Sequence, residues 1–129
     1  MILTTGCCGF RSAQVSNYCR ERLHVVLSKE LRRPARELGE MSDVDMKEHW
    51  EDLFTRCFQR VDDEVSGRAS RLVDGEQRLE PIAAENVGST AVVVVVCSSH
   101  VILANCGDSR IVLSRRKEPV TLSIDQKVN

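Results

Sequence analysis

Five consecutive valines occupy positions 92–96, preceded by Asn86-Val87-Gly88-Ser89-Thr90-Ala91 and followed by Cys97. No other stretch of the chain narrows its fold so far. β-Branched side chains are stiff in a helix and pack well on a pleated surface, so the run reads as a strand. Val101, Ile102, Leu103 and Ala104 repeat the composition, and Ser98-Ser99 between the two runs punctuates a turn. The second strand leads into Asn105-Cys106-Gly107-Asp108-Ser109-Arg110. Glycine at 107 admits backbone geometry that other residues resist. Asp108 follows it at a strand end, where a carboxylate serves a ligand or metal, or simply closes a solvated turn.

Upstream, the periodicity changes from two to that of a helix. Residues 12–33 carry Val15, Tyr18, Cys19, Arg22, Val25, Val26 and Leu31 near one stripe, with Arg20, Glu21, Lys29 and Glu30 largely outside it. Ser12 is the expected N-cap and Pro34 the stop. Residues 36–47 read as a polar connection. A second helix then places Trp50, Leu53, Phe54, Cys57, Phe58, Val61 and Val65 on one face, a spacing suited to core packing against a sheet. Residues 67–85 are polar and aperiodic, and read as an exposed loop. Strands are expected at 87–97, 100–106, 110–114 and 120–124. Their short connections favour an antiparallel meander, because parallel neighbours need long crossovers. Two helices followed by such a meander make an α+β arrangement, a helical layer packed on a sheet.

At 129 residues the chain fits one small domain. A net charge of −1 argues against nucleic acid or an anionic membrane as the main partner. The apolar run is too short to span a bilayer, and the first residues lack a basic leader, so a cytoplasmic or nuclear protein is expected. Six cysteines then read as reduced thiols, with Cys19, Cys57, Cys97 and Cys106 packing as small hydrophobes. Cys7-Cys8 lacks the spacing of a zinc site. The three histidines, His24, His49 and His100, share no metal-binding spacing and read as structural.

Gly88-Ser89-Thr90-Ala91 before a hairpin, then Asn105 to Arg110, Lys117-Glu118-Pro119 and Leu122-Ser123-Ile124-Asp125, resemble the metal-dependent type 2C (PPM) protein serine/threonine phosphatases. The segment from Val15 through Tyr18-Cys19-Arg20 to His24 also resembles the first long helix of plant group A, the co-receptor phosphatases of abscisic acid signalling. The resemblance implies a partial phosphatase domain over residues 1–129, half of an α-β-β-α sandwich. It further implies phosphoprotein substrates, Mg²⁺ or Mn²⁺ as cofactor, and kinases or hormone receptors as partners. The motif-matching positions are Gly88, Ser89, Thr90, Gly107, Asp108, Ser109, Arg110 and Asp125. Asp108 is the candidate ligand of an additional, weaker metal site.

Two-metal phosphoester hydrolysis needs several carboxylates close together, to hold the ions that activate water and neutralise phosphate oxygens. Here the chain departs from the resemblance. An ungapped alignment sets Cys8-Gly9-Phe10-Arg11-Ser12 where the family has Asp-Gly-His-Gly-Gly, so its metal-binding aspartate becomes Cys8. The strand before it is expected to shrink to a few residues. Asp-His-Lys-Pro appears as Asp125-Gln126-Lys127-Val128, and the family's later metal aspartates and receptor-sensing tryptophan have no match. Asp108 without such partners is expected to fasten its turn by accepting backbone hydrogen bonds. Two readings follow: a portion of a phosphatase, or alternatively a catalytically inactive interaction fragment or the product of a truncated gene model.

Overall fold

Backbone pairing is organised by the valine run. A computed structural model describes the backbone of residues 2–10 and the complete residues 13–32, 42–68 and 81–124. The elements in chain order are β1 (Ile2–Phe10), α1 (Ala13–Leu31), α2 (Asp43–Val65), β2 (Gly88–Val96), β3 (Val101–Cys106), β4 (Val112–Arg115) and β5 (Glu118–Thr121). The class is α+β, as the sequence implies. Residues 1–20 with 86–129 form one compact unit and residues 21–85 a second. No helix among the described residues is long and apolar enough to cross a membrane. The expected cap Ser12, the stop Pro34 and the motif residue Asp125 lie outside the described residues.

In the first unit β2 is the central strand of a three-stranded antiparallel sheet, ordered β1-β2-β3. Its alternation is clear: Ala91, Val93 and Val95 are buried, while Val92 and Val94 on the other face are only half-buried. β1 pairs along the whole of β2, from Ile2↔Val96 to Phe10↔Gly88. The expected remnant of a few residues is therefore a nine-residue strand. Its glycine-broken sequence hides it, and the β2 ladder supplies what local propensity lacks.

The expected single meander is also corrected. β4 and β5 form a separate two-stranded hairpin and do not join β3. Leu122 N–H donates to the Ile111 carbonyl at 2.8 Å, and Ile111 N–H donates to Ser123 Oγ at 2.8 Å, extending the hairpin beyond its ladder. Its turn places Arg116 and Lys117 at φ 52° and 69°. Those mirror-type turn angles suit the twist of a two-residue hairpin but are normally taken by Asn or Gly, so the sequence carries no signal for it.

The second unit contains α1 from Glu21 onward and α2. α2 starts at Asp43, inside the stretch read as a connection. Ser42 caps it: its Oγ accepts the Asp45 N–H at 3.2 Å, and Asp43 and Asp45 complement the positive end of the helix dipole. Trp50, Leu53, Phe54, Cys57 and Val61 are buried as the stripe requires, whereas Phe58 is half-buried. Trp50, Phe54 and Phe58 stack successively, with ring centroids 5.8 and 6.1 Å apart. On α1 the buried set is Val15, Ser16, Cys19, Leu23, Val26, Leu27 and Glu30. Glu30, expected outside, is buried because Arg56 of α2 meets it at 3.1 Å. Arg22 and Glu64 make a second link, two parallel bonds of 2.8 Å.

Cys19, Cys57, Cys97 and Cys106 are free thiols. Cys19 and Cys57 pack as expected, but Cys106 at the strand end is exposed and Cys97 half-buried. Burial, reinforced by the negative charge of Glu30, pushes the Cys57 thiol up from 9.0 to about 11 against the opposing pull of Arg56 and Arg60. The folded chain thus keeps this proton where the unfolded chain has lost it. Stability from this group is fully present below pH 9 and is lost as pH rises toward 11. The expected loss is about 2 kcal/mol, read as the difference between wild type and Cys57→Val in denaturant titrations across that window. Equal pH slopes for the two proteins would contradict it. Alkylation of Cys57 at neutral pH is expected only after unfolding.

Candidate functional site

Antiparallel register carries three separated motifs to one end of the three-stranded sheet. β1 ends there, β2 begins there and β3 ends there, with Cys8 opposite Thr90 and Ala91 opposite Cys106. Gly88, Ser89 and Thr90 thus adjoin Gly107, Asp108 and Ser109, although the intervening valines run away and back. Thr90 and Ser109 are joined directly by their hydroxyls at 2.6 Å.

Gly107 makes this corner possible. Its φ is +99°, and a Cβ built on it would lie 2.6 Å from Thr90 Cγ2 and 3.0 Å from Thr90 Cβ. Both the backbone conformation and the closeness of Thr90 require glycine. Asn105 fastens the turn: its Nδ2 donates to the carbonyls of Gly107 at 3.2 Å and Ile124 at 3.0 Å. One amide therefore ties the Gly-Asp turn to the stretch after β5. Its Oδ1 is buried and accepts no hydrogen bond among the described residues.

Asp108 does not play the expected role of fastener. Its carboxylate is exposed and accepts no hydrogen bond among the described residues, because Asn105 already closes the turn from inside. Arg110 is exposed, Ser109 half-buried, and Ser89 Oγ donates to the Thr90 carbonyl at 2.9 Å. The histidines stay apart from this corner: His100 bonds Ser99 in the opposite hairpin at 2.7 Å, and His49 lies edge-on to Trp50. The described motif residues thus meet as one corner, whereas the clamping role of Asn105 and the hydroxyl contact between Thr90 and Ser109 were not read from the sequence. An asparagine two residues before a glycine in a strand-end turn was the available signal.

The chain matches the model of the protein phosphatase 2C family over residues 4–129. It is 71% identical over 121 residues to protein phosphatase 2C 50 of Oryza sativa subsp. japonica, covering 92% of this chain and 31% of that protein. Probable protein phosphatase 2C 6 of the same species is 54% identical over 123 residues, covering 94% of this chain and 25% of the relative. Protein phosphatase 2C 16 of Arabidopsis thaliana is 46% identical over 122 residues, covering 92% and 24%. This chain belongs to the protein phosphatase 2C family. It spans about a quarter to a third of the length of these curated relatives.

The family is metal-dependent, generally on Mg²⁺ or Mn²⁺. The described residues do not fit such a centre: no three His, Cys, Asp or Glu side chains converge among them, and the corner offers Asp108 alone. Cys8, which the register sets opposite Thr90 at the same end of the sheet, is a soft thiol type ill-suited to a hard cation that prefers oxygen.

Proposed function

We propose that this chain is the portion of a metal-dependent protein serine/threonine phosphatase that builds the strand-end corner of its active region. By itself it does not hydrolyse phosphoesters. The family match over residues 4–129 supports the first statement. The second rests on one observation: among the described residues Asp108 is the one exposed carboxylate at the corner where the motifs meet. A hydrated Mg²⁺ held by one side chain is neither tightly bound nor positioned for an in-line displacement. Substrates of the complete enzyme are phosphoproteins, and it acts in the cytoplasm or nucleus. The likeness of Val15 to His24 to the group A helix supports a place in abscisic acid signalling, with kinases and hormone receptors as partners. Altered abscisic acid sensitivity on disruption of the locus is the test of that branch, and unchanged sensitivity counts against it.

The catalytic part is tested by assaying the purified chain on a phosphopeptide with Mn²⁺ or Mg²⁺, together with Mn²⁺ binding by electron paramagnetic resonance. The expected result is no metal-dependent turnover and only weak Mn²⁺ association, diminished further in Asp108→Asn. Turnover that co-purifies with the chain would overturn the proposal and demand a metal site built from other residues. The second reading, an inactive interaction fragment, is supported by β3, which has no strand on its outer side among the described residues.

A further inference from the structure

The β4–β5 hairpin turns through Arg116 and Lys117, the two non-glycine residues with positive φ among those described. The Arg115↔Glu118 pair makes them the whole of a two-residue loop. Such a loop forms most readily with Asn-Gly, because a side chain at positive φ crowds its own backbone. The chain instead places Arg-Lys there, directly after Arg115, so three consecutive cations stand at the tip. All three are exposed, and their side chains make no ion pair or hydrogen bond among the described residues. By contrast, Arg22, Arg56, Arg60 and Arg68 each reach a carboxylate. A local rule broken with no structural gain points to function. The other end of the hairpin is tied to the Gly107 corner, through Leu122 N–H to the Ile111 carbonyl and Asn105 Nδ2 to the Ile124 carbonyl. From Ile111 to Arg116 the chain extends roughly 16 Å.

We propose that the Arg115-Arg116-Lys117 tip is a docking site for a phosphorylated segment of a protein, separate from the phosphoester that the complete enzyme cleaves. This rests on the reading of the chain as part of a phosphoprotein phosphatase. The three cations limit what can cover the tip. Uncharged chain, of this polypeptide or another, would strip their water without replacing it, and that desolvation is unfavourable. An anion replaces the lost hydration, and the planar fork of an arginine matches a phosphate with two parallel bonds. Three charges suit a short phosphorylated segment. A nucleic acid or an anionic membrane calls for a broader basic surface, which a chain of net charge −1 does not supply. The docked segment then lies about five extended residues from the one presented at the Gly107 corner.

The experiment is fluorescence anisotropy of the full chain at low salt with a labelled Gly-Ser peptide carrying two adjacent phosphoserines, beside its unphosphorylated twin. Binding of the phosphorylated peptide alone is expected, weakening about tenfold as salt rises to about 0.15 M. Arg116→Asn with Lys117→Gly removes two charges and installs the preferred turn pair. It is expected to weaken binding about fivefold or more while raising the denaturant midpoint, so lost affinity is not lost folding. If that variant does not fold, Arg115→Gln on the ladder carries the same test. Lys29→Gln with Lys47→Gln, both exposed on the helices, removes equal charge and is expected to leave affinity unchanged. Equal binding of the two peptides, or binding indifferent to the tip substitutions, overturns the proposal. So does no binding, the result expected if acidic residues of the protein itself occupy the tip. Tip-dependent binding that is tighter to duplex DNA or phosphatidylserine vesicles overturns it as well. Binding is read without turnover, so a failure here is distinct from a failure of the phosphatase reading.

Discussion

Gly107→Ala is expected to destabilise the chain by about 3 kcal/mol, read as a fall in the denaturant midpoint at constant slope. Two costs combine. A side chain at φ +99° is held in a conformation that L residues rarely adopt, at about 1–2 kcal/mol. The new methyl must also displace Thr90, whose Cγ2 stands 2.6 Å from it, and forced overpacking costs about 1–3 kcal/mol. Thr90 cannot rotate away freely, because its hydroxyl is committed to Ser109 at 2.6 Å. The double substitution Gly107→Ala with Thr90→Ser separates the terms. Serine keeps the hydroxyl but lacks Cγ2, so it is expected to recover about 1 kcal/mol, while the backbone cost and the 3.0 Å approach to Cβ persist. A Gly107→Ala protein with a wild-type midpoint would show that the corner rearranges without cost. Loss of the turn would also release the Asn105 tie to Ile124, so hydrogen exchange near 122–124 is expected to quicken in the variant.

Where side chains dictate the backbone, the fold is legible in the sequence. The valine run and the stripe from Trp50 to Val61 each place one kind of residue at one period, and the structure buries Val93, Val95, Leu53 and Phe54 accordingly. Legibility fails where pairing partners are remote or turn chemistry is unusual. β1 is invisible because Gly6 and Gly9 interrupt its pattern and its ladder depends on residues 78 to 94 positions away. The Arg116-Lys117 turn is invisible because neither residue advertises a positive φ. The buried carboxylate Glu30 reads as a surface residue until the opposing Arg56 of the other helix is known. At the site, Gly107 and Thr90 are legible as motif members, whereas Asn105 becomes a clamp only when the Gly107 and Ile124 carbonyls come within reach of one amide.

That clamp also bears on how a corner with one carboxylate among its described residues is well formed. Glycine, the hydroxyl pair and the asparagine amide order the turn with neutral groups, so it does not need a cation to hold it together. Asp108 is left exposed on an already ordered turn. This separates the structural integrity of the corner from its metal chemistry. Asp108→Asn is accordingly a clean probe of the latter, while Gly107→Ala and Asn105 substitutions probe the former.

Glu64→Ala is expected to cost about 3 kcal/mol, and Glu64→Lys more. The Glu64 side chain is 10% exposed and receives both parallel bonds from Arg22, while Arg60 Nε lies 3.5 Å from the same carboxylate. Removing the anion leaves two guanidinium groups beside each other. Arg60 is poorly placed to compensate, since its Nε and one terminal nitrogen are buried without a hydrogen-bond partner among the described residues. Breaking a fully buried pair by removing one partner costs about 3–5 kcal/mol, and the partial exposure of the arginines places this site near the lower limit. The pair also sets register. Arg22–Glu64 and Glu30–Arg56 step forward along α1 and backward along α2 by the same number of residues, which fits only an antiparallel helix pair. Replacing both members of the first link, Arg22→Leu with Glu64→Leu, is therefore expected to cost less than Glu64→Ala alone, because the desolvation of the pair disappears with its attraction. It is also expected to broaden the unfolding transition, as apolar helix faces slide more easily than a two-bond ion pair. A double variant less stable than either single one would show that the link contributes net stability as well as register.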